Sequence, residues 1–199
     1  MRLVAQDISC ERGGRLIFEG LNFTLEQGEL LELRGANGAG KSSLLRLIAG
    51  LNQSRTGSLT LEQAPTETSV AENSHYIGHA DANKSALTLR QNLAFWATFL
   101  GNGDIDRGLA AFDLTSIADD PARLLSSGQK RRLSLARLAT VERALWLLDE
   151  PTVGLDQNST GKLNILLKKH LSEGGMAIVA THTDLGVTAK KSLTLKARA

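Results

Sequence analysis

Gly35-Ala36-Asn37-Gly38-Ala39-Gly40-Lys41-Ser42 is the segment that leaves this chain the fewest choices. An extended stretch, Glu29-Leu30-Leu31-Glu32-Leu33-Arg34, runs into it, and a helical pattern, Ser42-Ser43-Leu44-Leu45-Arg46-Leu47-Ile48-Ala49, runs out of it. Strand, glycine-rich turn and helix form the context in which G-x-x-x-x-G-K-S works as a phosphate-binding loop. The glycines let successive backbone N–H groups turn toward one anion, and the helix N-terminus adds about half a positive charge. Lys41 would reach β- and γ-phosphates as a point charge, and the Ser42 hydroxyl would ligate Mg²⁺ between them. Residues 35–43 are therefore candidate nucleotide contacts, with Ser43 the most structural of them.

A second segment supplies carboxylates. Ala144-Leu145-Trp146-Leu147-Leu148-Asp149-Glu150-Pro151 is an apolar run ending in two acids, the pattern of a buried parallel strand that delivers its acids to the sheet's C-terminal edge. There Asp149 can hold the hydration shell of Mg²⁺, and Glu150 is placed to polarise a water for in-line attack on a γ-phosphate.

Around these segments the pattern is that of an α/β chain. Leu3 to Ser9, Leu16 to Phe18 and Leu21 to Leu25 read as short strands separated by turns at Gly13-Gly14, with another turn at Gln27-Gly28, so an antiparallel β portion opens the fold. From Leu87 to about Ser116 the apolar spacing is mostly helical. A helix from Gln129 to Leu138, the strand Ala144 to Leu148, a helix from Leu163 to Leu171 and a strand from Met176 to Ala180 follow, which predicts a mainly parallel sheet. The expected organisation is a single domain over 1–199 with an inserted helical subdomain at about 85–140. The end of the chain, Lys190-Lys191 to Arg198, is basic and reads as a solvated terminal face.

At Leu125-Ser126-Ser127-Gly128-Gln129, followed by Lys130-Arg131-Arg132, the chain resembles the ABC ATPase family of P-loop NTPases, whose signature is usually LSGGQ. Ser127 stands where the first glycine is usual, a small-for-small change that still lets backbone approach a phosphate at a helix N-terminus. The resemblance implies ATP with Mg²⁺ and a homodimer around two ATP. In it, Ser126, Ser127, Gly128 and Gln129 of one subunit close on the γ-phosphate held by the other. Gly154-Leu155-Asp156 matches the family's D-loop and places Asp156 at the same shared site. His182, just past the strand ending at Ala180, stands at the position of the switch histidine. The resemblance implies that it hydrogen-bonds the γ-phosphate and the attacking water, which makes Glu150 and His182 the expected catalytic pair.

Two positions depart from the family pattern. Tyr76-Ile77-Gly78-His79 is followed by Ala80 where the family has a glutamine, and alanine cannot ligand Mg²⁺. Either His79 or Asp81 supplies a polar contact there, or the loop couples to its partner through other groups. The adenine-stacking position falls on Arg12 instead of an aromatic. A guanidinium can stack on a base, and a solvated turn residue is the alternative.

Within the family, the short length, Cys10-Glu11-Arg12, Ile77-Gly78-His79 with Lys84 and Leu87-Thr88, and the run from Gly128 to Leu138 resemble the haem-exporter ATPases of cytochrome c maturation. That resemblance implies membrane subunits resembling CcmB and CcmC, a functional link to the haem chaperone CcmE, and a peripheral place on the cytoplasmic face of the bacterial inner membrane. The alternatives are the motor of another small exporter, such as one for lipoprotein release, and a non-transport nucleotide switch.

Composition sets the outer limits. Apolar residues at 42% and charged residues at 22% are ordinary globular usage. Lys and Arg number 23 against 21 Asp and Glu, so the net charge of +2 gives no electrostatic ground for a nucleic-acid partner. Cys10 is the only cysteine, which excludes an internal disulfide and suits a buried small residue in a reducing compartment. No stretch approaches the ~18 consecutive apolar residues of a membrane span, so membrane association is expected only through partners.

Overall fold

In the computed structural model, which describes residues 1–64, 68–183 and 185–196, the chain opens on a long hairpin. Strand β1 (Arg2–Arg12) pairs antiparallel with β2 (Arg15–Glu26) on one side and with β4 (Thr56–Glu62) on the other. The two short strands expected from Leu16 to Leu25 are one strand. Gly20 takes a positive φ of 64°, and the register shifts between Ala5 and Ile8 and again before Cys10, so the chain bulges instead of breaking. Cys10 is fully buried in this sheet, and burial pushes its thiol pKa up.

The second sheet has five strands in the order β5 (Ser74–Ile77), β6 (Leu145–Asp149), β7 (Met176–Ala180), β3 (Leu30–Arg34) and β8 (Lys191–Thr194), and every pairing in it is parallel. The unbroken apolar runs of β6 and β7 follow from burial of both faces. Leu145, Leu147, Met176 and Ile178 pack toward β1 and α1 (Lys41–Ile48), while Trp146, Leu148, Ala177 and Val179 pack toward α4 (Ser127–Thr140) and α5 (Gln157–Ser172). Each such large apolar side chain, once removed from water, contributes about 1.5–3 kcal/mol.

The basic end, expected as a solvated face, is solvated on one side only: Lys190, Ser192, Thr194 and Lys196 are exposed, while the residues between them turn inward. Lys191 to Thr194 form the edge strand, in register with Leu31 to Arg34, and Leu195 beyond it is buried. Lys191 pairs with Glu29 at 2.7 Å and donates to the Thr24 carbonyl. Lys191 masked this half-buried alternation, because its stem lies along the sheet while its charge finds partners. Residues 197–199, including Arg198, lie outside the described residues.

Helices α2 (Leu89–Leu100), α3 (Ile105–Ala111) and α4 fill the stretch expected to be helical. Thr88 with Gln91 and Ser126 with Gln129 form reciprocal capping boxes at the starts of α2 and α4. Helix α5 begins six residues before the expected Leu163, because the Asp156 carboxylate accepts from Ser159 N at 2.7 Å and caps a polar first turn that carries no apolar signal. Helices α3 and α4 meet at Gly108, where a Cβ would overlap Thr140 Oγ1 and lie 3.1 Å from the Ala136 carbonyl oxygen.

Gly108→Ala gains about 1 kcal/mol of helix propensity and meets overpacking of about 1–3 kcal/mol, so urea unfolding should show a net loss of stability. His75, on β5, is 1% exposed and its Nε2 donates to the Val141 carbonyl at 2.7 Å. Burial, with a smaller push from Arg137 and Arg143, holds its pKa at about 3 against the opposing pull of that hydrogen bond. An unfolded histidine takes up a proton near pH 6.5, which buried His75 refuses. Stability therefore falls as pH drops from about 6.5 toward 3, by about 1.4 kcal/mol per pH unit from this group, and is untouched by it above 6.5. Urea midpoints measured between pH 6 and 4 should show a correspondingly shallower decline in His75→Gln.

Candidate functional site

Among the five α-helices of the described residues, four start on a side-chain cap: Thr88, Asp104, Ser126 and Asp156 each accept from a first-turn N–H. Helix α1 does not. Its N-cap is Gly40, in the left-handed region at φ 102°, with no side-chain hydrogen bond. The first-turn N–H groups of a helix have no intrahelical partner, and at α1 they are left for something outside the chain. Gly40 is held to glycine by more than its φ, since a Cβ there would lie 2.6 Å from Ile17 Cγ2.

A cavity of about 420 Å³ opens at this helix end. Ala36, Asn37, Gly38, Gly40, Lys41, Ser42 and Ser43 form one wall, Arg12 and Ile17 of the hairpin another, and His79, Asp149 and Glu150 the floor. Gly35 and Ala39 complete the loop without lining the cavity: Ala39 is buried in the core, and Gly35 abuts the Leu195 carbonyl. The Lys41 ammonium donates to the carbonyls of Gly35 at 2.7 Å and Ala36 at 3.3 Å. It also lies 3.5 Å from His182 Nε2, which is in turn 3.5 Å from Glu150 Oε1.

The two acids differ in their surroundings. Asp149 is 3% exposed, and its Oδ2 is buried with no hydrogen-bond partner. Leaving a buried acceptor unpaired costs about 1–3 kcal/mol, more when it is charged. With the Ser42 hydroxyl on the same cavity, that oxygen fits an oxygen-seeking cation such as Mg²⁺, which completes its shell with water and phosphate oxygens. Glu150 is half-buried and takes a positive φ of 46°, a left-handed conformation costing a non-glycine residue about 1–3 kcal/mol. Its N–H is tied to the Ala180 carbonyl at 2.8 Å.

The remaining expected residues are not on this cavity. Ser126 and Gln129 satisfy one another through their capping box, with bonds of 3.3 and 2.8 Å. That leaves the N–H groups of Ser127 and Gly128 at an exposed helix start that no carbonyl of the helix can serve. A Cβ on Gly128 would sit 3.1 Å from the Gly154 carbonyl, so the signature lies against the D-loop. The Asp156 carboxylate is spent on capping α5, and its pKa is lowered by the hydrogen bonds from Ser159. Past Gly78, His79 faces the cavity, whereas Asp81 is engaged by Arg131 at 3.3 Å. Arg131 itself escaped the sequence reading, since nothing in Lys130-Arg131-Arg132 separates the middle side chain from its neighbours.

Comparison with known proteins gives the family and the fold. The ABC transporter family profile matches residues 18–153. The chain belongs to the ABC transporter family. It is similar to the cytochrome c biogenesis ATP-binding export protein CcmA of Rhodopseudomonas palustris strain HaA2, at 48% identity over 96% of both chains. The protein of the same name from Nitrobacter winogradskyi is 47% identical, again over 96% of each. In fold, the chain matches a solved ATP-binding subunit of an ABC transporter with a TM-score of 0.86 at 22% identity, covering 100% of this chain and 89% of that one. The fold is thus that of an ABC ATPase, with a parallel main sheet, an antiparallel β portion and inserted helices, and membership of the family implies nucleotide binding.

Gly40→Ala should leave the chain folded and weaken ATP binding. A left-handed alanine with a crowded Cβ costs about 1–3 kcal/mol, equivalent to about 5- to 150-fold in affinity if the loop shifts to relieve it. Equilibrium titration with a fluorescent ATP analogue checks this.

Proposed function

We propose that this chain hydrolyses ATP as the nucleotide-binding subunit of an ABC exporter of cytochrome c biogenesis, and that its power stroke serves haem export or release of the haem-loaded chaperone. The observation that carries the ATPase reading is the meeting of Lys41, His182 and Glu150 around one point beside an uncapped helix end. The biological assignment rests on the two CcmA relatives, whose identity extends over nearly the whole chain.

In this reading the N–H groups of the loop from Gly35 to Ser43 cradle the phosphates, and Lys41 leaves its own loop carbonyls to meet the β- and γ-phosphates. Arg12, on the cavity wall, stacks on the adenine. Asp149 and Ser42 would hold Mg²⁺, which when bound would supply positive charge to neutralise the phosphates. Glu150 accepts the proton of the attacking water, and His182 donates to the γ-phosphate, reporting whether it is present. Ser126, Ser127, Gly128 and Gln129, with Asp156 of the D-loop, reach the nucleotide of a second copy, so that two ATP are shared by a homodimer.

The chain then works as one domain, 1–199, with the helices of 85–140 as an insert facing membrane subunits resembling CcmB and CcmC, and with the chaperone CcmE downstream. No helix among the described residues is long and apolar enough to cross a membrane, which fits peripheral attachment on the cytoplasmic face through those partners. An acid at position 150 argues against a nucleotide switch that never turns over.

Glu150→Gln should bind ATP as the parent does while hydrolysis falls by about 10²–10⁴, the usual contribution of a general base. Lys41→Ala should instead lose affinity. Parental turnover in Glu150→Gln would remove Glu150 from its role. Affinity purification from membranes should recover CcmB-like and CcmC-like subunits, and recovery of lipoprotein-releasing subunits would overturn the assignment to haem.

A further inference from the structure

Arg131 stands one helical turn behind the signature on α4, is 3% exposed, and spends its whole guanidinium on other elements. Nε donates to the Pro151 carbonyl at 3.2 Å. Nη2 donates to the carbonyls of Asp149 at 3.1 Å and Glu150 at 2.7 Å. Nη1 donates to the Gly78 carbonyl at 2.8 Å and to Asp81 Oδ1 at 3.3 Å. A guanidinium has five N–H donors in a fixed plane, and these acceptors account for all of them.

Three of the acceptors are consecutive carbonyls. In an extended strand successive carbonyls point to opposite sides, so residues 149–151 can converge on one guanidinium only because Glu150 has turned into the left-handed region. The same turn is what brings the Glu150 carboxylate onto the cavity floor and toward His182. A strained conformation persists when its surroundings over-determine it. Here the determinants are the Ala180 carbonyl on the Glu150 N–H and Arg131 on the carbonyls around it.

We infer that Arg131 is a positioning residue for hydrolysis. It holds the 149–151 turn so that Glu150 is aimed at the attacking water, and it ties that turn and the Gly78 to Asp81 loop to the helix that carries Ser127 and Gly128. Closure of the signature on a second copy's nucleotide is thereby felt at this copy's Glu150. Lysine cannot take over, because an ammonium is a point charge with three donors and no planar fork. The inference rests on the reading of Glu150 as the base.

The test compares Arg131→Lys, Arg131→Gln and Glu150→Gln with the parent, each as the full chain in the assembly that hydrolyses ATP. Turnover number and ATP dissociation constant are measured separately. Displacement of a catalytic group by about 1 Å is worth up to about 100-fold in rate, so turnover in Arg131→Lys should fall about 10- to 100-fold while ATP affinity stays within about twofold. Arg131→Gln should behave alike, and whichever variant retains parental affinity is thereby known to be folded around its nucleotide. Turnover within about twofold of the parent would overturn the inference, as would loss of affinity in proportion to loss of rate in both variants, the mark of a merely structural residue. Glu150→Gln separates the two failures. If it is inactive while Arg131→Lys turns over normally, only the role of Arg131 falls; if it is itself active, the reading of Glu150 falls and takes the inference with it.

Discussion

The in-register parallel pairing of β3, β6 and β7 is the constraint from which the site follows. Ala180 of β7 is opposite Leu33 on one side and Asp149 on the other, so three strands end at the same level. The phosphate loop begins one residue past Arg34, Glu150 comes one residue past Asp149, and His182 two past Ala180. Parallel strands present the same end to the same edge, and in such sheets that edge is where ligands sit. An antiparallel partner in place of β7 would send one of the three groups to the opposite edge. Burial of both faces protects this register, because a slip of one residue would exchange the side chains packed toward α1 with those packed toward α5.

Charge burial separates what the chain satisfies for itself from what it leaves for a ligand. Arg131 is matched donor for acceptor. Arg137, also buried, donates to the Tyr76 carbonyl at 2.7 Å and lies 3.8 Å over the Trp96 ring, and although burial brings its pKa down to about 10 it stays cationic at neutral pH. These arginines hold α4 to the strands beneath it. Arg137 keeps its Nε unpaired away from the cavity, whereas Asp149 keeps an unpaired oxygen on a residue that lines it, beside a helix with no side-chain cap. Other buried atoms also lack a partner, among them His75 Nδ1 and Trp146 Nε1, but of the unpaired set only Asp149 belongs to a residue lining the cavity, where its oxygen and the uncapped helix start together suit a cation and an anion.

Much of this was legible in the sequence because it is written in side chains with few alternatives. The phosphate loop needs its glycines, and a buried run ending in Asp149-Glu150 needs both faces covered. Helix α5 starts earlier than its apolar pattern because Asp156 sets its start through a hydrogen bond, not through an apolar residue. Strand β8 was missed because its inward alternation, Lys191, Leu193 and Leu195, begins on a lysine. Arg131 was illegible for a deeper reason. Four of its five partners are main-chain carbonyls, which every residue carries, and they converge only because of a backbone turn at Glu150. Hydrogen bonds to carbonyls leave no mark in residue types, so the positioning shell around a site is harder to read than the site.

What the chain does not complete by itself argues for a second copy. The cavity has a loop, acids and a histidine, and among the described residues none of the signature segment 125–129 lines it. The start of α4, with the N–H groups of Ser127 and Gly128, is on the same molecule but outside the cavity. Leu124 before it and Val153 beside it, 69% and 51% exposed, are large apolar residues at the signature and the D-loop. Side chains of that kind, next to a helix start with unspent donors, suit a face that is covered in use. A twofold arrangement answers both needs, since each copy then lends its helix start to the other's cavity and both contacts are made by the same surface. On the role proposed for Arg131, its hydrogen bonds from that helix to the 149–151 turn would give such an arrangement a property that neither copy has alone, with closure of one site felt at the turn of the other.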